Sequence, residues 1–194
     1  MSVRSEGGGG VSTVIPTIHL WALIADYEAA VAEASHVFNF PAIDFDDDSM
    51  LILVIDLVPT AALTLLMRIN TIATANYSYG GRRIENTAVE TLIGANNVTS
   101  IQLASAAGIL TAATAQASGI IEILLPKAGA PDRPTVHTRL GSSNGSAEVM
   151  AGSLKIAQAN ITDIEILTSV STWQVGTRIT LYRVQRVGYQ NAPI

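Results

Sequence analysis

The sequence predicts an all-β protein: an antiparallel β-sandwich, jelly-roll-like, of about eight to ten strands behind a flexible N-terminal arm. Three observations predict it. Apolar residues make up 48% of the 194-residue chain but are mostly aliphatic, with 21 Ile, 17 Leu and 15 Val against 10 aromatics. The segments between turn signals are short and β-branched, as strands are. Breakers punctuate the chain at Val58-Pro59, Gly80-Gly81, Ala95-Asn96-Asn97, Gly129 to Asp132 and Asn144-Gly145.

Residues 1–15, with Gly7, Gly8, Gly9 and Gly10 in a row ahead of Val11, read as a flexible arm. Residues 16–194 read as a single β-sandwich domain, because no composition break or fixed-period repeat divides them. The stretch from Tyr27 to Ala34 is ambiguous. Asp26 would cap a helix of Glu and Ala there, and propensity alone favours one. The strands expected on either side, and the alternation of Ser35 to Phe40, argue for extended chain.

Strands are expected over Met50–Val58, Leu63–Ile69, Val98–Leu103, Gly119–Leu125, Thr135–Leu140, Ser153–Gln158, Ile161–Leu167 and Thr177–Val184. Alternation is clearest in the last two, where Ile164 and Ile166 oppose Asp163 and Glu165, and Ile179 and Leu181 oppose Arg178, Thr180 and Tyr182. Were these two strands paired, the acidic face of one would meet Arg178 of the other, worth about 0.2–1 kcal/mol.

Composition also excludes classes. No apolar run exceeds that from Met50 to Ile55, far short of the ~20 residues of a membrane-spanning helix. Ten aromatics are thin for the girdles of a transmembrane barrel. The opening MSVRSEGGGG has no apolar core of an export signal. Cysteine is absent, so no disulfide framework or thiol chemistry is available. Net charge is −5, and of the 11 basic residues only Arg82 and Arg83 are adjacent, too few for a nucleic-acid-binding stripe. Neither nucleic acid nor membrane is an expected partner.

The motifs with chemical meaning are few. Gly141-Ser142-Ser143-Asn144-Gly145 satisfies G-x-S-x-G, but a nucleophile elbow needs a following helix and a later histidine. His19, His36 and His137 all precede Ser143, so the motif reads as an Asn-Gly hairpin turn. Asp44 to Asp48 is the one acidic cluster; it reads as a solvated turn, with a weak Ca²⁺ site as the alternative. No cofactor or metal is expected, and no enzyme hypothesis gains support. Tyr77 and Tyr79, with Arg82 and Arg83 close behind, read as a loop patch suited to an interface or as ordinary half-buried aromatics. Trp173 is expected to plug one end of the sandwich.

The order of pieces is itself informative. Trp21 to Ala25 leads to Phe38 to Phe45, the strand Met50 to Asp56, Leu66 to Asn70 and Asn76 to Tyr79. The chain closes on Ile161 to Ile166 and Gly176-Thr177-Arg178-Ile179-Thr180-Leu181-Tyr182. This order resembles a family of small β-sandwich structural proteins of tailed-bacteriophage virions, in which a late G-S/T-x-I-x-L-Y-G strand is typical. The resemblance spans residues 20–184; it departs at Arg183, where the family has glycine.

The resemblance implies extended chain over residues 28–40. It also implies a non-enzymatic virion component, foremost a capsid decoration or cement protein made in the host cytoplasm. The partners expected are a second and third copy of the chain, as dimer or trimer, and the major capsid protein or other virion proteins. The interface candidates are Gly7, Gly8, Gly9, Gly10, Val11, Tyr77, Tyr79, Arg82 and Arg83. The alternative is a tail or head-fibre component with a receptor- or glycan-binding role, using Tyr77, Tyr79 and Asp46 to Asp48. Low charge agrees with either, since large permanent interfaces are apolar.

Overall fold

The computed structural model describes residues 21–45, 48–84, 90–106, 108–111, 113, 115–126 and 133–185. The arm, residues 1–15, lies outside the described residues. Twelve antiparallel strands form two sheets, and the described residues contain no helix. They are β1 (Trp21–Glu28), β2 (Ser35–Asp44), β3 (Asp48–Leu57), β4 (Leu65–Ile69), β5 (Tyr77–Ile84) and β6 (Glu90–Val98). The second half contributes β7 (Ile101–Ala104), β8 (Ala117–Leu124), β9 (Thr135–Ser142), β10 (Ala147–Leu154), β11 (Asn160–Thr168) and β12 (Arg178–Gln185).

The larger sheet runs β1-β12-β3-β8-β9-β10-β5-β6 and the smaller β2-β11-β4-β7. Without β5, β6, β9 and β10, two four-stranded sheets remain, β1-β12-β3-β8 and β2-β11-β4-β7. Successive strands from either end of the chain alternate between them, the order of a jelly roll. The four other strands are two insertions, one after β4 and one after β8. They join side by side and widen only the larger sheet. The strand count therefore exceeds the eight to ten expected.

The core follows from period-two alternation. Leu51, Leu53, Ile55 and Leu57 of β3, with Ile121, Ile123, Ile179 and Leu181 beside them, face Met67, Ile69, Ile164 and Ile166 of the smaller sheet. Each is essentially inaccessible, and each such burial stabilises by about 1.5–3 kcal/mol.

Several expectations are corrected. Gly80-Gly81 and Ala95-Asn96-Asn97 stand within β5 and β6 rather than between strands. Gly81 sits there because β10 passes close: a Cβ on it would lie 2.3 Å from the Val149 carbonyl oxygen. The strand expected at Val98–Leu103 is two strands, separated at Thr99-Ser100 where the chain changes sheets, just after Asn97 takes a left-handed φ of 55°. The strand expected at Ser153–Gln158 is β10, shifted towards the N-terminus. Residues 29–34 form no helix despite their propensity, because Ala29 and Glu33 bond in both directions to the β11–β12 connection.

β11 and β12 belong to different sheets, so the expected pairing of Arg178 with acids of β11 does not occur. Arg178 instead meets Asp26 of β1 at 3.3 Å, and Glu165 takes Arg68 of β4 at 3.1 Å.

One end of the roll is closed by Trp173, as expected. Its side chain is wholly buried, and its backbone bridges to both Glu33 and Pro59. The Trp173 N–H donates to Glu33 O at 2.8 Å, Gln174 N–H to Val58 O at 2.7 Å, and the indole Nε1 to the Tyr27 hydroxyl at 3.3 Å. Trp173→Ala is expected to cost about 3–5 kcal/mol, read as a lower urea midpoint with an unchanged slope.

Candidate functional site

The outward face of the larger sheet is the feature that the fold leaves unexplained. Cross-strand register lines its side chains into rows. One row reads Leu92, Arg82, Val149, Arg139, Ile120 and Val54 across six strands. Eight large apolar side chains are exposed here: Trp21, Leu23, Val54, Ile84, Leu92, Ile120, Leu124 and Val149. The other four in the described chain, Val31, Ile156, Val170 and Val175, lie singly on connections. Scattered exposed apolar residues are ordinary; a face that gathers two thirds of them is the candidate site. Leu92 is 77% and Val149 57% exposed, so the fold itself gives them no cover.

Three arginines on this face are already paired. Arg82 Nη1 meets Glu90 Oε1 at 3.1 Å, Arg139 Nη2 meets Glu122 Oε1 at 2.7 Å, and Arg178 holds Asp26. In water such pairs contribute little, about 0–1 kcal/mol each. Their relevance is to docking: a partner that covers the face buries pairs rather than lone charges.

Beneath the face, polar contacts bolt the inserted strands to β7, the edge of the smaller sheet. The Tyr79 hydroxyl donates to Gln102 Oε1 at 3.1 Å and the Thr138 hydroxyl to Leu103 O at 3.3 Å. Glu148, fully buried on β10, accepts from the Ser105 N–H at 2.7 Å and from the Ser105 hydroxyl, and Arg83 Nη1 donates to the same hydroxyl at 3.0 Å. Gly108 closes over them; a Cβ there would lie 2.2 Å from Glu148 Oε1. Burial holds the Glu148 carboxyl above its ordinary range, with the Ser105 bonds and the Arg83 charge pulling the other way.

Strand parity decides the fate of the residues singled out from sequence. On β5, Ser78, Gly80, Arg82 and Ile84 point outward, while Tyr77, Tyr79, Gly81 and Arg83 point inward. Arg82 thus lies on the apolar face. Tyr77 is a core residue; its hydroxyl donates to Ile69 O at 3.2 Å and accepts from Ile69 N–H at 3.0 Å, and burial pushes its pKa up to about 12. Tyr79 is half-buried against β7 and Arg83 turns towards Ser105, so neither joins Arg82 at the surface. Tyr77 and Tyr79 therefore form no loop patch.

Gly7, Gly8, Gly9, Gly10 and Val11 lie outside the described residues, as do Asp46 and Asp47. Phe45 is buried in the core and Asp48, at the start of β3, is buried too. Among the described residues no three His, Asp or Glu gather as metal ligands would. Ser143 is in the β9–β10 hairpin turn, a three-residue loop in which Gly145 takes φ 85° and Asn144 has no positive φ, rather than the two-residue Asn-Gly turn. Its hydroxyl accepts from the Gln116 N–H at 3.1 Å.

The raised Glu148 carboxyl has a measurable sign. The native state keeps its proton at pH values where the unfolded chain has released it. Stability from this site is therefore complete below the ordinary carboxylate range and lost as pH rises through the raised value. Glu148→Gln keeps the shape and an acceptor for Ser105 while removing the titration. Its urea-unfolding stability should decline less than that of the unsubstituted protein between about pH 4 and pH 8.

Compared with known proteins, the chain matches no family model, and neither a curated protein nor a solved structure matches it.

Proposed function

We propose that the chain is a non-enzymatic structural protein of a tailed-phage virion, a capsid decoration or cement subunit. It assembles with copies of itself as a dimer or trimer and clamps neighbouring capsid subunits. The observation that carries this reading is the apolar outer face of the larger sheet. Eight strands about 4.8 Å apart, each about eight residues long at about 3.4 Å per residue, span about 900 Å². A stable interface takes about 800 Å² from each partner. The face is thus large enough to hold a second subunit, apolar enough to favour one, and free of unpaired Arg and Glu along its central rows.

The jelly-roll order supports the same reading, since viral capsid domains are among those built this way. So does the sparse charge, 14% of residues, which suits a subunit that hides surface in an assembly. Virion stabilisation then follows from mass action: a protein that binds only the assembled shell stabilises that shell.

Two measurements test this. In sedimentation the protein is expected to be a discrete oligomer, and Leu92→Asp with Val149→Asp should yield a monomer whose circular dichroism is still that of a β-protein. Cross-linking mass spectrometry of intact particles carrying the chain should place it beside capsid subunits. A protein monomeric at every concentration, or one joined only to non-virion partners, overturns the reading.

A further inference from the structure

We propose that the free edge of β6 receives residues 11–15 of a second copy as a ninth strand of the larger sheet. The inference rests on the self-association proposed above and adds its site and its segment.

The four sheet edges differ in how they are protected. β1 carries a register shift between Leu23 and Ala25. β2 contains Pro41 and is offset against β11. β7 is only four residues long. Shifts, prolines and short strands are the devices that keep edges from recruiting another strand. β6 has none of them along most of its length. From Ser78↔Asn96 to Ile84↔Glu90 its ladder with β5 is regular, and its one shift lies beyond, at Tyr77/Ser78. It contains no Pro, Lys or Arg, and its single charge, Glu90, is held by Arg82. Among the described residues its backbone pairs only with β5. An exposed, regular edge whose one charge is paired is a template for strand addition.

The segment that fits it is Val11-Ser12-Thr13-Val14-Ile15, which is uncharged, β-branched and bounded by Gly7 to Gly10 before and Pro16 after. Added alongside β6, alternate residues Val11, Thr13 and Ile15 would cover Leu92 on one face, with Val14 beside Ile93 on the other.

Reach decides which copy supplies it. β1 and β6 are opposite edges of the sheet, seven strand spacings or about 34 Å apart. Ile15 is six residues from Trp21, so extended chain carries it at most about 21 Å from the start of β1. The segment cannot reach β6 of its own subunit. A neighbour's can.

The absence of cysteine makes the test direct. Full-length Thr13→Cys and Leu92→Cys proteins, mixed and treated with a short bis-maleimide, should give a covalent heterodimer. Neither variant alone, nor Thr13→Cys mixed with Val175→Cys, should give comparable dimer. Hydrogen exchange supplies a second readout: the β6 amides that point away from β5 should be protected in the full chain and lose that protection when residues 1–15 are deleted. An oligomer of unchanged mass with no cross-link and no change at β6 overturns this inference while leaving self-association standing. A strictly monomeric protein overturns both. A cross-link from Thr13→Cys to a Leu23→Cys partner site within one chain, with β6 unprotected, assigns the segment to its own β1 edge and overturns the inference as well.

Discussion

The architecture depends on a single strut. The connection from β11 to β12 must carry the chain from one sheet to the other, and it does so as a short extended piece bonded on both sides. Trp173 and Gln174 are held by Glu33, Val58 and Pro59, while Gly176 and Thr177 are held by Ala29. Three crossings between sheets are thereby locked together at one end of the roll. The indole beneath them fills the space that the diverging sheets would otherwise leave open. Buried backbone groups must find partners, and here the three connections supply one another's.

From that closed end the larger sheet widens. The core sandwich needs only four strands in each layer, yet the larger layer has eight. The extra strands would hang free without support below, and β7 gives it through Gln102 and Leu103, with Ser105 just beyond its end. Gly152 serves the same contact: a Cβ there would lie 2.6 Å from Ile101 Cγ2, so only glycine lets β10 settle on β7. What the extension gains is area on the far side, and that side is where the exposed apolar residues collect.

How much of this was legible in the sequence depends on the local signal. β3, β8, β9, β11 and β12 were readable because alternation and β-branched composition agree there with the final burial. Trp173 was readable because a lone tryptophan among polar residues has to be packed somewhere. β5 and β6 were not, since paired glycines and Asn-rich stretches signal turns, and only the close approach of β10 explains glycine inside a strand. The same turn signal misplaces the site residues. On a loop, Tyr77, Tyr79, Arg82 and Arg83 form one patch; on a strand, parity sends them to opposite faces. The apolar face had left one trace, the unbroken run from Met50 to Ile55. A strand that is apolar on both sides is expected to be covered on both sides. Charge pairing across sheets was beyond sequence, because strand order rather than chain order chose Asp26 for Arg178.

The junction of the two insertions also sets a timetable. Ser78 of β5 and Ser153 of β10 touch across 75 residues of chain. As synthesis proceeds from the N-terminus, the β5–β6 hairpin exists long before the strand it must lie against. In that interval the flank of β5 meant for β10 has no partner strand, the condition under which β-rich proteins aggregate. The extension can therefore be completed only after β10 has been made, and the broad face with it. The outer face of the larger sheet is thus withheld until the subunit that bears it is nearly complete.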